Sequence, residues 1–431
     1  MTKTAKTLSY IAGLILVLVP FHAFLTVWLS SGVGHYTALR LWDELLLVVL
    51  TVGASGILWR DEALRQKLRA DRLYLLIAAY SLVSLVWAIV PYALGKVTAK
   101  AVGYGLIVNL RFLIFFLAVG VISTKSALLK QNWPKLVFWP ALLVSSLGIL
   151  QSLVLPYDFL RHFGYSAATI FPYETVNHNL HYVRAMSTLR GANPLGAYLL
   201  VVLGTLCVYL IKKGRSLWWG LAGLATLALV LSYSREAWLG AAAAALAFAL
   251  LVLKTKRVRQ LAALGAAAIL LMFGLLAVGL RHNPTFQNYV LHTQTGTTSK
   301  ISSNAQHVSA LRQGLHDLAH QPLGRGVGTA GPASVYNNSK SRIAENYFVQ
   351  IGQETGWLGL ILFIAIYINV GWQLWLKRRD PLALGLVISL AGLTVVSLFS
   401  HAWTDDTLAY IWWGLAGVAL APLLPAQRQS R

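Results

Sequence analysis

The chain has 431 residues, 57% of them hydrophobic and only 12% charged, with a formal net charge of +22. That composition excludes a soluble globular enzyme, because apolar runs of about 20 residues, the length an α-helix needs to cross a bilayer, recur from end to end. The lone cysteine, Cys207, lies inside one such run and excludes an intrachain disulfide and a Cys-based metal site.

In chain order the apolar runs predict spans near 8–30, 37–58, 73–91, 101–122, 136–156, 193–211, 216–233, 237–253, 260–280, 350–376, 381–400 and 407–424. No run alternates with the dyad pattern of an outer-membrane barrel, so the expected fold is all-α, a single polytopic domain of about twelve transmembrane helices. The first run lacks a small-x-small cleavage site and reads as an uncleaved span.

Basic residues fall on alternate connections: Lys3 and Lys6, the stretch Arg60 to Arg72, Lys125 to Lys135, Lys212 to Arg215, Lys254 to Arg259, Lys377 to Arg379, and the tail with Arg428 and Arg431. These are the expected cytoplasmic connections, with both termini inside. Much of the positive charge is therefore a topology signal and calls for no nucleic-acid partner. The lipid bilayer is the partner it implies.

Two of the opposite connections, 157–192 and 281–349, are too long for structureless linkers in a compact protein. In the larger one, Ser302, Ser303 and Asn304 offer helix N-caps, and Val308, Leu311, Leu315 and Leu318 recur at amphipathic spacing. Residues 281–349 are thus expected to form a partly helical extracytoplasmic loop subdomain, with a helix over 304–320 and a glycine-rich turn, HQPLGRGVGTAGP, after it. Gly326, Gly328 and Gly331 spell GxGxxG, yet the strand and helix of a dinucleotide site are missing around them. The glycines serve either close packing, the favoured reading, or an amide cradle for an anion.

Charges at membrane depth are expensive and tend to pair or to line a functional cavity. Arg40, Asp43 and Glu44 open the second span at spacings that suit mutual neutralisation. Arg111, about ten residues into the fourth span, either pairs with one of those carboxylates or reaches toward a ligand phosphate. Between two apolar runs, LSYSREAWLG (231–240) holds Arg235 at the membrane surface, either snorkelling or paired with Glu236, or poised at headgroup level to grip a phosphate bidentately. His401, Asp405 and Asp406 form a possible metal-ligand set. A hydrogen-bonding role is preferred for them, the other loop histidines, including His178, His181, His307, His316 and His320, are irregularly spaced, and no metal site is assigned.

RAMSTLRGANPLGAYLL (184–200), LSYSREAWLG, the Arg312 helix leading into PLGRGVG, AENYFVQIGQETGWLGL (344–360) and HAWTDDTLAYIWWGLAG (401–417) occur in the order and spacing of the O-antigen ligase and Wzy polymerase superfamily, which this chain resembles over roughly residues 180–420. The resemblance implies a membrane-embedded glycosyltransferase with a fold of the GT-C kind, inverting and independent of metal or other cofactor. It would move a glycan from polyprenyl (undecaprenyl) diphosphate to a hydroxyl of a glycan, lipid or wall acceptor at the outer face of the cytoplasmic membrane. By family correspondence Arg235 and Arg312 stabilise the departing diphosphate, with Arg184 or Arg190 as additions, while Arg111 is a candidate for substrate binding from its depth in the fourth span. Where the ligases carry a His-Asn pair, this chain has Glu345 and Asn346. Glutamate preserves general-base chemistry, while the substitution weakens an assignment to lipopolysaccharide ligation in particular. Taken without the resemblance, Glu345 is a carboxylate at a helix start, favoured by the macrodipole. Asn346, His401, Asp405 and Asp406 complete the candidate site.

A transporter or flippase of lipid-linked oligosaccharides is the competing class. Such folds show matched halves, broken helices and midplane binding groups. Here the halves differ in loop length, and the polar groups gather at one surface. A scaffold without chemistry would not need arginines at the outer helix ends.

Overall fold

The computed structural model describes residues 3–177, 179–214, 217–253, 257, 260, 303–338 and 341–421. The described chain is almost entirely helical. Nine of its helices are long and apolar enough to cross a membrane: Lys3–Val33, Tyr36–Arg60, Arg72–Ala93, Ala99–Lys125, Leu128–Leu153, Ala192–Lys213, Arg235–Val252, Tyr347–Leu376 and Pro381–Phe399. These match the first six expected spans and the eighth, tenth and eleventh. The seventh is a shorter helix, Leu217–Leu231, and the last is Asp406–Leu420. Residues 261–280 of the expected ninth span and residues 281–302 of the long loop lie outside the described residues.

The first span is interrupted. A 3-10 turn over Val19–Phe21 contains Pro20, which supplies no amide and unbonds a carbonyl. Two carbonyls at the turn accept from distant hydroxyls: Thr188 donates to Pro20 O at 2.7 Å, and Thr407 donates to Val19 O at 3.0 Å. The break thereby ties the first span to two distant segments.

One end of the bundle collects the basic connections. Lys125 pairs with Asp61, Lys130 lies 3.1 Å from Asp380, Lys212 donates to the carbonyls of Arg378 and Arg379, and Gln373 donates to Asp71. Connections that the charge pattern assigned to a common side thus touch one another. Helices running from this end carry the candidate site to the other, and they pack closely where side chains are small. A Cβ on Gly240 would come 2.8 Å from the carbonyl of Gly392, so Arg235–Val252 and Pro381–Phe399 meet nearly backbone to backbone.

Tyr347–Leu376 is broken at Gly356, whose φ of 68° and ψ of −169° are not helical. The glycine-rich turn fills the break. The amides of Arg325 and Gly326 donate to the carbonyls of Gln353 and Glu354, both at 2.9 Å, and the Trp357 amide returns a bond to Pro322 O at 2.9 Å. Val327 N donates to Trp87 O at 3.0 Å, which anchors the turn to Arg72–Ala93 as well. Three backbone groups at the kink, Gln353 O, Glu354 O and Trp357 N, are therefore met by the loop.

Three expectations need correction. The chain is not purely α: Glu174–Val176 and Asn179–Arg184 form an antiparallel hairpin. The helix expected over 304–320 is present at Ser303–His320, but Val308 and Leu315 are exposed among the described residues. Its buried stripe is Gly314, Asp317 and Leu318, because Asp317 accepts from Gln353 at 2.8 Å and pairs with Arg342, turning that face inward. Finally, Arg40, Asp43 and Glu44 do not neutralise one another. Arg40 precedes the helix that begins at Trp42, so helical spacing does not apply to it. It donates to Tyr104 Oη at 2.8 Å, Glu44 lies 3.1 Å from Arg111, and Asp43 faces His22 at 3.6 Å.

Candidate functional site

At the end of the bundle opposite the basic connections, a cavity of ≈ 260 Å³ is lined by Glu174, Arg190, Asn193, Glu236, Glu345, Ser400, His401 and Asp405, among others. Four of the sequence motifs, 184–200, 231–240, 344–360 and 401–417, thus converge on one space.

The first motif reaches it through a buried loop. Gln151 Oε1 accepts from Met186 N at 3.2 Å and from Ser187 N at 2.7 Å, and Ser187 Oγ donates to Val144 O at 2.7 Å. Residues 185–189 are all buried, and this anchoring leaves Arg190 exposed at the loop's end. Arg184 is used differently. Its guanidinium donates to Ser232 O at 2.9 Å and Asn193 Oδ1 at 2.5 Å and lies 3.0 Å from Glu174. It fastens the hairpin to the Ser232 turn and to the start of Ala192–Lys213. Arg190 makes no side-chain hydrogen bond or ion pair among the described residues. It borders both this cavity and a second one of ≈ 240 Å³, as does Asp405.

Glu345 enters in a left-handed conformation, with φ at 53°, which a residue bearing a Cβ rarely adopts. Asn346 holds it there: its side chain caps Tyr347–Leu376 by accepting from Val349 N at 3.0 Å and donates to Leu398 O at 3.0 Å. The Glu345 carboxylate stands between two imidazoles, 3.7 Å from His307 Nδ1 and 3.9 Å from His401 Nδ1. Burial raises the Glu345 pKa above the ordinary glutamate value, opposed by the positive charge of His307. Burial pushes His401 down to about 4, aided by Arg190 and His307, so its imidazole is neutral at pH 7. Asp405 caps the last helix, accepting from Leu408 N at 3.1 Å, and burial together with Asp406 pushes its carboxyl up to about 6.

Asp406 and Arg111 turn away from the first cavity. Arg111 is buried, pairs with Asp406 and Glu44, and donates to Thr404 O at 2.7 Å. Of its two readings, pairing with a carboxylate is the one present. Asp406 is further approached by His22 Nε2 at 3.5 Å and Arg40 at 3.9 Å. This network joins the first, second, fourth and last helices beneath the site.

Arg235 begins its helix, half-buried beside Arg184 and Glu236, while Arg312 is exposed on Ser303–His320. Neither borders the two cavities. Sequence reasoning passed over Glu174, His307 as a neighbour of Glu345, and Glu354. The last could have been found: it is an acid within an apolar span, and it is buried at 1% exposure.

These observations define a multi-pass membrane protein with a polar, carboxylate-rich cavity at one end of its helices. Residues 220–364 match the family model described as O-antigen ligase, a stretch that includes LSYSREAWLG, the Arg312 helix, the glycine turn and Glu345. The resemblance read from the motifs is thereby shown for this part of the chain, while the motifs at 184–200 and 401–417 lie outside the matched stretch. No curated protein matches the chain.

Proposed function

We propose that the protein is a membrane glycosyltransferase of the O-antigen ligase or polysaccharide polymerase type, acting with inversion at the outer face of the cytoplasmic membrane. Its donor is a glycan on polyprenyl diphosphate, and its acceptor is a sugar, lipid or wall hydroxyl. The observation that carries this reading is the convergence of Arg190, Glu345, His401 and Asp405, from three separate motifs, on one cavity.

In the reaction the acceptor hydroxyl gives its proton to the Glu345 carboxylate as its oxygen attacks the anomeric carbon. The anomeric C–O bond breaks, its electron pair passing to the diphosphate oxygen. Neutral His401, facing the same carboxylate, orients the hydroxyl. Growing charge on the diphosphate requires cations in place beforehand. Arg190 is the guanidinium best situated for that, with Arg235 and Arg312 as the cations that the family correspondence adds. Protein side chains supply every step of this scheme, and no metal is invoked. The helix break at Gly356, a feature that transporters use to expose backbone to substrate, is plugged here by the protein's own loop, which favours the transferase over a flippase.

The test is transfer by purified protein in lipid nanodiscs, from a polyprenyl-diphosphate glycan to an acceptor without nucleotide or ion gradient. Glycan release to the acceptor in the wild type and its loss in Glu345→Gln are expected. A wild type that moves the donor across the bilayer without breaking the diphosphate bond would overturn the reading.

A further inference from the structure

The second cavity adjoins the first across Arg190 and Asp405 and has no part in the scheme above. Its walls are rich in hydroxyls: Thr26, Tyr36, Thr169 and Tyr336 all contribute. Its charges balance, with Arg40 and Arg190 on one side and Asp405 and Asp406 on the other, so its field favours neither an anion nor a cation.

One of those hydroxyls is stranded. Thr26 is 2% exposed, and its Oγ1 has no hydrogen-bond partner among the described residues. A threonine in a helix ordinarily donates to the carbonyl four residues back, as Thr51, Thr205 and Thr226 do here at 2.7, 2.8 and 2.8 Å. Thr26 does not, and a buried hydroxyl left unpaired is costly. His22, one turn earlier on the same helix and also lining the cavity, likewise has an Nδ1 without a hydrogen bond.

A pyranose ring suits such walls. Its C–H faces pack on aromatic rings, its ring of hydroxyls can give and take hydrogen bonds with threonines, tyrosines and arginine–aspartate neighbours, and it carries no net charge. We propose that this second cavity is a carbohydrate subsite, holding one neutral sugar ring of a substrate glycan while transfer takes place in the adjoining cavity. The proposal rests on the glycosyltransferase reading for its biological setting. The ring belongs either to the donor glycan or to the acceptor glycan, which share this chemistry.

The test uses the full chain in nanodiscs and saturation-transfer NMR with methyl glycosides of neutral hexoses and N-acetylhexosamines, alongside a methyl uronide. Ala23→Phe fills the cavity from its wall, and Thr26→Val removes the stranded hydroxyl at nearly constant volume. At least one neutral glycoside is expected to bind, with its signal lost in Ala23→Phe and its Kd raised about tenfold in Thr26→Val. Thr26→Val carries the test alone if the larger side chain prevents folding.

A kinetic arm compares kcat/KM for donors, and separately for acceptors, bearing one sugar or several. The arm whose length preference disappears in the variants identifies the source of the ring. The subsite is overturned if no neutral glycoside binds, if only the uronide binds, or if neither variant alters binding or length preference. Transfer activity in that case would leave the transferase reading standing. Conversely, glycoside binding abolished by Ala23→Phe in a protein that transfers nothing would keep the subsite and sink the transferase.

Discussion

The Glu354 carboxylate accepts a hydrogen bond from the Gly328 amide at 2.9 Å, and its other oxygen accepts from Asn109 Nδ2 at 2.6 Å. The glycine motif does turn an amide toward a carboxyl, but that carboxyl is the protein's own side chain, buried inside a membrane span, and the glycines serve to pack the loop against the helices. A Cβ at Gly328, where φ is +88°, would stand 2.5 Å from Ala101 O. Gly328→Ala is therefore expected to lower stability by more than about 2 kcal/mol, through both strain and collision. Glu354→Gln places an NH2 against one of two donors and is expected to cost about 1–3 kcal/mol. Thermal unfolding in detergent, followed by size-exclusion of the monodisperse fraction, checks both. Wild-type midpoints would show that the loop is not anchored in this way.

Two arginines of one motif are expected to behave oppositely. Arg184 is consumed by Ser232 O, Asn193 and Glu174, so Arg184→Ala leaves several partners unpaired and is expected to destabilise by about 2–4 kcal/mol. Arg190, exposed at the cavity edge, is expected to tolerate Ala within about 0.5 kcal/mol while transfer falls by about a hundredfold or more. Lys at 190 should recover only part of it, lacking the planar fork. Arg235→Ala and Arg312→Ala, measured in the same assay, apportion the diphosphate among the three cations. Unchanged transfer in Arg190→Ala would remove that residue from the scheme.

The spans could be read from sequence because each is a local property, an apolar run of fixed length. The break at Gly356 could not. QETGW lies within the span expected over 350–376, and what makes the kink tolerable is a loop more than twenty residues upstream that bonds carbonyls at the break. The hairpin was hidden for a similar reason, since its strands are too short to alternate and are held by the Arg184–Glu174 pair. At the site, motifs brought Arg184, Arg190, Glu345, Asn346, His401, Asp405 and Asp406 to the same region. Whether a polar atom is free to meet a substrate depends on neighbours that spacing does not reveal. Arg184, Asn346 and Asp406 have theirs within the protein, while Arg190 and Glu345 border open space.

Asp405 gives a stability prediction with a definite sign. Its carboxyl, in the turn outside the spans, is pushed up to about 6 by burial and by Asp406. A group whose folded pKa exceeds its unfolded value favours the native state most below the unfolded pKa, and that contribution is lost as pH rises through about 6. Asparagine cannot ionise, yet still caps a helix. Asp405→Asn should thus match the wild type in acid and exceed it at pH 8, by on the order of 1–2 kcal/mol. Apparent unfolding midpoints across that range measure the difference. A variant equally stable at both ends would mean that the buried carboxyl is already compensated.

The last prediction concerns the base. Burial raises the Glu345 pKa and His307 opposes the rise, so the acid limb of kcat/KM should lie above the ordinary glutamate range. Activity requires the ionised carboxylate and should fall as pH drops through that limb. Removing the cation in His307→Gln lets the Glu345 pKa rise further, so the limb moves to higher pH, and His307→Lys moves it back. Glu345→Gln keeps size and donor contacts but accepts no proton, and transfer should drop by about a hundredfold or more with donor binding retained. Glu345→His restores an acceptor at the position where relatives use imidazole and should recover part of the rate. Full transfer by Glu345→Gln would instead assign proton removal to His401, whose imidazole faces the same cavity and is neutral at pH 7. The two bases are then told apart by His401→Gln, which should abolish transfer in that case and only weaken it if Glu345 is the base.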